Sequence, residues 1–251
     1  MRKLNCGFFK FTGCSGCQME LLRLEEELPK LLKLIDISYW PMVTSKSWVG
    51  NLDAAFVEGS VSTPRELREL KEIRGRSKIL VAFGDCATTG CVPSIRNFTT
   101  QREAEKRVYE HPEWVESIGV RGLSEYVDVD ISLSGCPPHR NTILEVVKGA
   151  VIQKRPHLRH HTVCIECKLG DNGCLLTDDG RPCMGPVTHA GCGAICPQDD
   201  RECEGCFGPM SAANAQSHAE ILLKLGLSRD DVRRKFRKYA GWTAQFMEEA
   251  K

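Results

Sequence analysis

Apolar and polar positions follow two rhythms over the first 155 or so residues, short buried runs alternating with stretches of helical period. Leu4 to Phe11 is apolar and aromatic, as a buried strand requires. Gln18 to Leu28 reads as a helix with Met19, Leu22 and Leu21 on its apolar side, stopped by Pro29. Ile35 to Trp40 is a second strand closed by Pro41, and Ala54 to Val57 a third, ending at Glu58 and Gly59. Thr63-Pro64-Arg65-Glu66 has the chemistry of a helix start, with Thr63 as N-cap, Pro64 at the first position and Glu66 closing a capping box. Lys78 to Phe83 has the continuous apolar character of a strand covered on both faces. A helix is predicted over Gln101 to Glu110, a strand over Tyr126 to Leu133 and a last helix over Thr142 to Gln153.

Strands alternating with helices predict an α/β fold, a doubly wound parallel sheet of flavodoxin type. Beyond residue 155 that rhythm stops. Residues 156–162, with Pro156 and three histidines, read as a linker. From Cys164 to Cys206 eight cysteines fall within forty-three residues, with few large apolar side chains between them. Such a segment cannot offset its ordering entropy by burial alone, so cross-links or metal must help to hold it. The tail reads as helices again, Ala213 to Leu225 and a second from Ser228 with Asp231 as capping partner. Val232, Phe236 and Tyr239 mark its buried face, and Arg233, Arg234, Lys235, Arg237 and Lys238 its wet face. Three units are expected: 1–155 as the flavodoxin-like domain, 156–210 as an irregular cysteine-rich domain, and 211–251 as a C-terminal helical tail.

A net charge of +1 gives no electrostatic reason to expect nucleic acid or an anionic membrane as partner. No apolar run approaches the roughly eighteen residues of a membrane span. The N-terminal stretch MRKLNCGFFKF reads as a first strand without an export signal, so a cytoplasmic protein is expected. In a reducing cytosol, fourteen cysteines are better explained as metal ligands than as disulfides.

Cys14 and Cys17, Cys86, and Cys136 each lie just past the end of a predicted strand. Ligands bind at that edge of an open α/β sheet, so these four converge although they span 122 residues. Four thiolates suit either one iron–sulfur cluster or one zinc ion. Zinc ribbons also use C-x-x-C pairs, and a zinc-stabilised interaction module stands as the competing reading from a different class. Three features favour iron–sulfur. Cys192-x-x-x-Cys196-Pro197 resembles the end of a bacterial ferredoxin ligand run, although its preceding C-x-x-C-x-x-C is absent. Four plus eight cysteines divide into three sets of four, and the first set sits at the functional edge of a sheet.

Cys14-Ser15-Gly16-Cys17, Gly84-Asp85-Cys86-Ala87-Thr88 and Gly135-Cys136-Pro137-Pro138 together resemble the small subunit of nickel–iron hydrogenases. Cys183-Met184-Gly185-Pro186-Val187-Thr188, with Cys192 nine residues on, and Cys203-Glu204-Gly205-Cys206 match the same family, in order, to about residue 210. The resemblance implies that Cys14, Cys17, Cys86 and Cys136 hold a proximal [4Fe-4S] cluster facing a nickel–iron centre on a separate large subunit. It implies a distal cluster on Cys164, Cys167, Cys174 and Cys183, and a medial one on Cys192, Cys196, Cys203 and Cys206. Periplasmic members have histidine where Cys164 stands and lack a counterpart of Cys196, so three all-cysteine [4Fe-4S] clusters are expected here. A fourth thiolate adds negative charge and lowers a cluster's potential.

Val57 to Thr63 (VEGSVST) and Cys203 to Met210 (CEGCFGPM) look most like the cytoplasmic group 3 enzymes called sulfhydrogenases. Those are NAD(P)-coupled heterotetramers, and this chain is similar to their delta subunit. The alternative within the family is the subunit that feeds a heterodisulfide reductase. With no G-x-G-x-x-G fingerprint in the chain, FAD and NAD(P) are expected on other subunits. No catalytic acid, base or nucleophile is assigned to this chain. Cys6 and Cys91 read as small buried hydrophobes. His157, His160 and His161 read as linker residues, His189 as lining a cluster, and Glu20 as a first-turn helix acid favoured by the helix dipole.

Overall fold

The computed structural model describes residues 3–48 and 50–251; Met1 and Arg2, the start of the predicted first-strand stretch, lie outside the described residues. Five strands form one sheet: β1 (Leu4–Lys10), β2 (Ile35–Tyr39), β3 (Leu52–Glu58), β4 (Ser77–Phe83) and β5 (Ile131–Leu133). All are parallel, in the order β2-β1-β3-β4-β5, which is the flavodoxin-like doubly wound topology expected. Burial on both faces explains the unbroken apolar runs. On one face Phe8, Phe56, Val81, Phe83 and Leu133 pack under α1 (Gly16–Leu22) and the later Arg140–Val151 helix. There Phe8 stacks on Trp40 at 4.4 Å and on Phe56 at 4.8 Å between ring centres. On the other face Phe9, Ala55, Val57, Leu80 and Ala82 pack with Leu70 and Ile73 of α2 (Pro64–Arg76).

The start of α2 is as the residues require. Thr63 Oγ1 accepts the Glu66 N–H at 3.1 Å, and Glu66 Oε2 accepts the Thr63 N–H at 3.0 Å. Thr63→Ala removes one half of this box, and is expected to cost about 1 kcal/mol. The check is a lower urea midpoint at unchanged slope.

The next helices are α3 (Asp85–Thr89), α4 (Gln101–Val108), α5 (Arg140–Val151), α6 (Val163–Leu169), α7 (Ala215–Lys224) and α8 (Arg229–Arg237). Three expectations need correction. Ser15, in the left-handed region at φ 67°, starts α1 at Gly16, so Cys17, Gln18 and Leu21 face the core while Met19 is exposed. Pro29 does not stop that helix; it sits in the first turn of a separate short one, Leu28–Leu31, where its missing N–H costs nothing. The strand predicted over Tyr126 to Leu133 is only Ile131–Leu133, because the Asp130 carboxylate, held also by Arg74, takes the Leu80 N–H at 2.8 Å and the ladder begins after it.

Beyond residue 155, Val163, Met184 and Val187 of the cysteine-rich segment share a core with Ala219 and Leu222 of α7 and Val232 and Phe236 of α8. Ser228 caps α8 by accepting the Asp231 N–H, as expected, but Tyr239 lies past the helix end and Ala240 takes the buried place. The basic face of α8 is not simply wet: Lys238 pairs with Glu204 at 2.8 Å and Lys235 lies 3.6 Å from it. Trp242 meets Phe98 edge-on at 5.2 Å, and the Arg237 guanidinium lies 4.3 Å from the Phe98 ring, so the tail is also fastened to the sheet domain. Among the described residues no helix is long and apolar enough to cross a membrane.

Candidate iron–sulfur sites

Cys17, Cys86 and Cys136 come near one another at the carboxyl edge of the sheet, where the connections leaving β1 and β3 diverge, while Cys14, just before them, is exposed and its Sγ accepts the Gly16 N–H at 3.4 Å. Two backbone devices shape that edge. Glu58, buried at the end of β3, accepts the N–H groups of Cys17 at 3.0 Å and Gln18 at 3.3 Å. A carboxylate thus occupies the positive end of α1 and fixes how Cys17 enters the site. After β4 and β5 the chain is bound together by Gly84 N–H to Leu133 carbonyl at 2.8 Å and Asp85 N–H to Gly135 carbonyl at 2.9 Å. Gly84 has φ 88°, and a Cβ there would stand 2.1 Å from Cys17 Sγ. A Cβ on Gly13 would lie 3.9 Å from Cys86 Sγ. Gly84 is therefore needed for close approach of backbone to sulfur, whereas a side chain at Gly13 would make only ordinary contact with Cys86.

Burial pushes the Cys17 thiol far above its ordinary range, and Glu58, Cys86 and Cys136 add to that shift. Cys136 goes the other way, lowered chiefly by a hydrogen bond from Cys91. Cys91 is buried, as expected from the sequence, but the neighbouring Cys136 and Cys86 thiols push its own thiol far above its ordinary range, and its backbone sits at φ 42°. Spacing alone could not reveal this neighbour. Nor does it mark Asp85, whose fully buried carboxyl is pushed up to about 7 by desolvation, against hydrogen bonds from Thr88 and Thr89 at 3.0 and 3.2 Å.

The eight later cysteines separate into two groups in space. Cys164, Cys167, Cys174 and Cys183 line one cavity of about 40 Å³, floored by Gly185 and Pro186. A Cβ on Gly185 would stand 3.2 Å from Cys164 Sγ and 3.5 Å from Cys183 Sγ. Burial, then Cys183, Cys167 and Cys174, push the Cys164 thiol up to about 11. Cys192, Cys196, Cys203 and Cys206 line a second cavity of about 300 Å³, which Cys136 of the first set also reaches. There Cys206 is pushed up to about 12 by burial and then by Cys192 and Cys196, and Cys203 is raised as well. Thiols so buried and so close to one another need a cationic core before they can serve as thiolates. Among the described residues no group of three or more His, Cys, Asp or Glu could hold a metal ion directly, so what the members of each later set share is the cavity they line.

The groups also touch. The Cys203 N–H donates to Cys183 Sγ at 3.3 Å, and Cys206 senses the charge of Cys136. Glu20 needs a correction. Because α1 begins at Gly16, Glu20 lies beyond the first turn; it pairs with Arg23 at 2.9 Å and lines the larger cavity. His189 gives its ring to the Ala190 carbonyl at 2.7 Å and borders neither cavity. His160 and His161 are likewise away from both.

Residues 14–150 match the family model described as NADH ubiquinone oxidoreductase, 20 Kd subunit. Sulfhydrogenase 2 subunit delta of Pyrococcus furiosus is 36% identical over 240 residues, covering 95% of this chain and all of that one. A subunit of the F420-non-reducing vhu hydrogenase of Methanocaldococcus jannaschii is 32% identical, over 80% of this chain and 81% of its own. A solved chain in the crystal structure of an NAD+-reducing nickel–iron hydrogenase in the H2-reduced state superposes with a TM-score of 0.59 at 28% identity, over 63% of this chain and 97% of that one. Cys14, Cys17, Cys86 and Cys136 all lie within the family match, and the delta-subunit relative extends it through the later cysteines. The chain belongs to the 20 Kd-subunit family and is the small, electron-transferring subunit of a nickel–iron hydrogenase, of the group that includes the sulfhydrogenase delta subunit.

Proposed function

We propose that this chain relays electrons between the nickel–iron site of the large subunit and an NAD(P)- and flavin-binding partner, through three [4Fe-4S] clusters held by twelve of its cysteines. The carrying observation is that each later set of four cysteines lines its own cavity, with Cys17, Cys86 and Cys136 near one another at the sheet edge. Cys14, Cys17, Cys86 and Cys136 hold the proximal cluster. Cys192, Cys196, Cys203 and Cys206 hold the medial one, and Cys164, Cys167, Cys174 and Cys183 the distal one. When bound, such clusters supply one-electron carriers whose potentials follow charge, burial and hydrogen bonds to sulfur.

The chain's own residues set the order of the relay. Cys136 borders the medial cavity, bringing the proximal and medial sites together. The Cys203 N–H to Cys183 Sγ contact does the same for medial and distal sites. Exposed Met19, Val92 and Ile95, which follow Cys17 and Cys91 in the chain, offer apolar surface to the large subunit. The proposed units remain 1–155, 156–210 and 211–251, and the proposed location is the cytoplasm.

Anaerobic purification of the native complex tests this directly. About twelve iron and twelve sulfide per copy of this chain are expected, with nickel in the complex. About three zinc and no iron would instead identify a zinc-stabilised module. Co-purification of a flavoprotein that reduces NAD(P) with hydrogen supports the proposed acceptor, and co-purification of a heterodisulfide reductase overturns it.

A further inference from the structure

Glu166 stands between Cys164 and Cys167 on α6, yet its carboxylate serves the other set of cysteines. Its two oxygens accept the Gly191 N–H at 3.1 Å each, and Oε2 accepts the Gly193 N–H at 3.0 Å. The same Oε2 lies 4.0 Å from Cys192 Sγ. Gly191, Gly193 and Ala194 have φ values of 132°, 71° and 57°, and this turn aims the N–H groups on either side of Cys192 at one carboxylate. Such a concavity binds anions, and here the anion is a side chain from another segment. Thr142 of α5 supports the loop independently, its hydroxyl donating to the Gly191 carbonyl at 3.2 Å.

This arrangement does two things at once. It fastens the loop bearing Cys192 to the helix bearing Cys164 and Cys167. It also fixes a negative charge beside one sulfur of the larger cavity, where the chain could have left the two N–H groups to water. A fixed charge next to a cluster ligand opposes the arrival of a further electron.

We propose that Glu166 is a positioning residue for Cys192 and that its charge holds the potential of the medial cluster down. The proposal rests on the cluster reading above, in which Cys192 is a medial ligand. The test is a potentiometric titration followed by EPR on the anaerobically purified native complex. Glu166→Gln keeps the shape and removes the charge. It is expected to move one cluster midpoint to higher potential at unchanged iron content, the moving signal being the one that Cys196→Asp also alters. Thr142→Val, which loosens the same loop without changing charge, is expected to leave that midpoint in place. Three unchanged midpoints in Glu166→Gln at full iron content would overturn the proposal. So would an equal shift in Thr142→Val, which would make loop position the cause. Wild-type complex without iron would overturn the cluster reading itself, and is told apart by metal analysis before any titration.

Discussion

Cys17→Ala is expected to abolish hydrogen-dependent dye reduction by the complex, to the level of a reaction without hydrogen. Cys17 is buried at the start of α1, with its N–H held by Glu58 and its sulfur against Gly84. The fold offers no ready substitute: Cys91, the spare thiol of this edge, is fully buried in a turn of its own at φ 42°. Losing one of four thiolates should release about four iron per chain, and with them the carrier next to the large subunit. Iron analysis and dye reduction on the same preparation check both parts. Full hydrogen-dependent activity in the variant would contradict the assignment of Cys17.

Gly84→Ala is expected to have nearly the same functional effect without touching a ligand. A Cβ at φ 88° and ψ 169°, a region open essentially only to glycine, costs about 1–3 kcal/mol by itself. Its 2.1 Å approach to Cys17 Sγ then forces the sulfur or the strand end to move, which in a packed site costs a further ~1–3 kcal/mol. The sum, about 2–6 kcal/mol, can be relieved by displacing Cys17 from its position. The expected result is loss of about four iron per chain and of hydrogen-dependent dye reduction, with the eight later cysteines still loaded. Gly75→Ala is the control, because a Cβ there meets nothing within 4 Å and the backbone is already helical. A Gly84→Ala complex with full iron and activity would show that the close approach at this turn is dispensable.

Much of the sheet was legible because its signals are local. A strand covered on both faces must be apolar throughout, so Lys78 to Phe83 announced β4 to within a residue. Thr63, Pro64 and Glu66 announced the start of α2 because capping depends on residues three apart. The errors arose where a distant partner or a single backbone conformation overrode the local pattern. Asp130 shortened β5 by taking an N–H from a neighbouring strand, and Ser15 shifted α1 by adopting a left-handed conformation that composition does not encode.

The site divides in the same way. Twelve cysteines stand out as candidate ligands from type and position, since each of the first four follows a strand end and the later eight are too dense to be incidental. Their neighbours could not. Glu58 lies forty-one residues from Cys17, and Glu166 twenty-five from Gly191. Cys91 looked like core filling because burial was its only readable property, whereas its thiol contacts arise from where the β4 and β5 turns meet. By itself, then, the sequence determined which side chains are available as ligands, the parallel alternating fold and the segment that cannot stand on hydrophobic burial. Only the tertiary structure decided which cavity each of the eight later cysteines lines, and which carboxylates and N–H groups stand beside Cys17 and Cys192. Ligand type and strand burial are written in residues close along the chain; charge and hydrogen bonding at a site are summed over groups that only folding brings within a few ångströms.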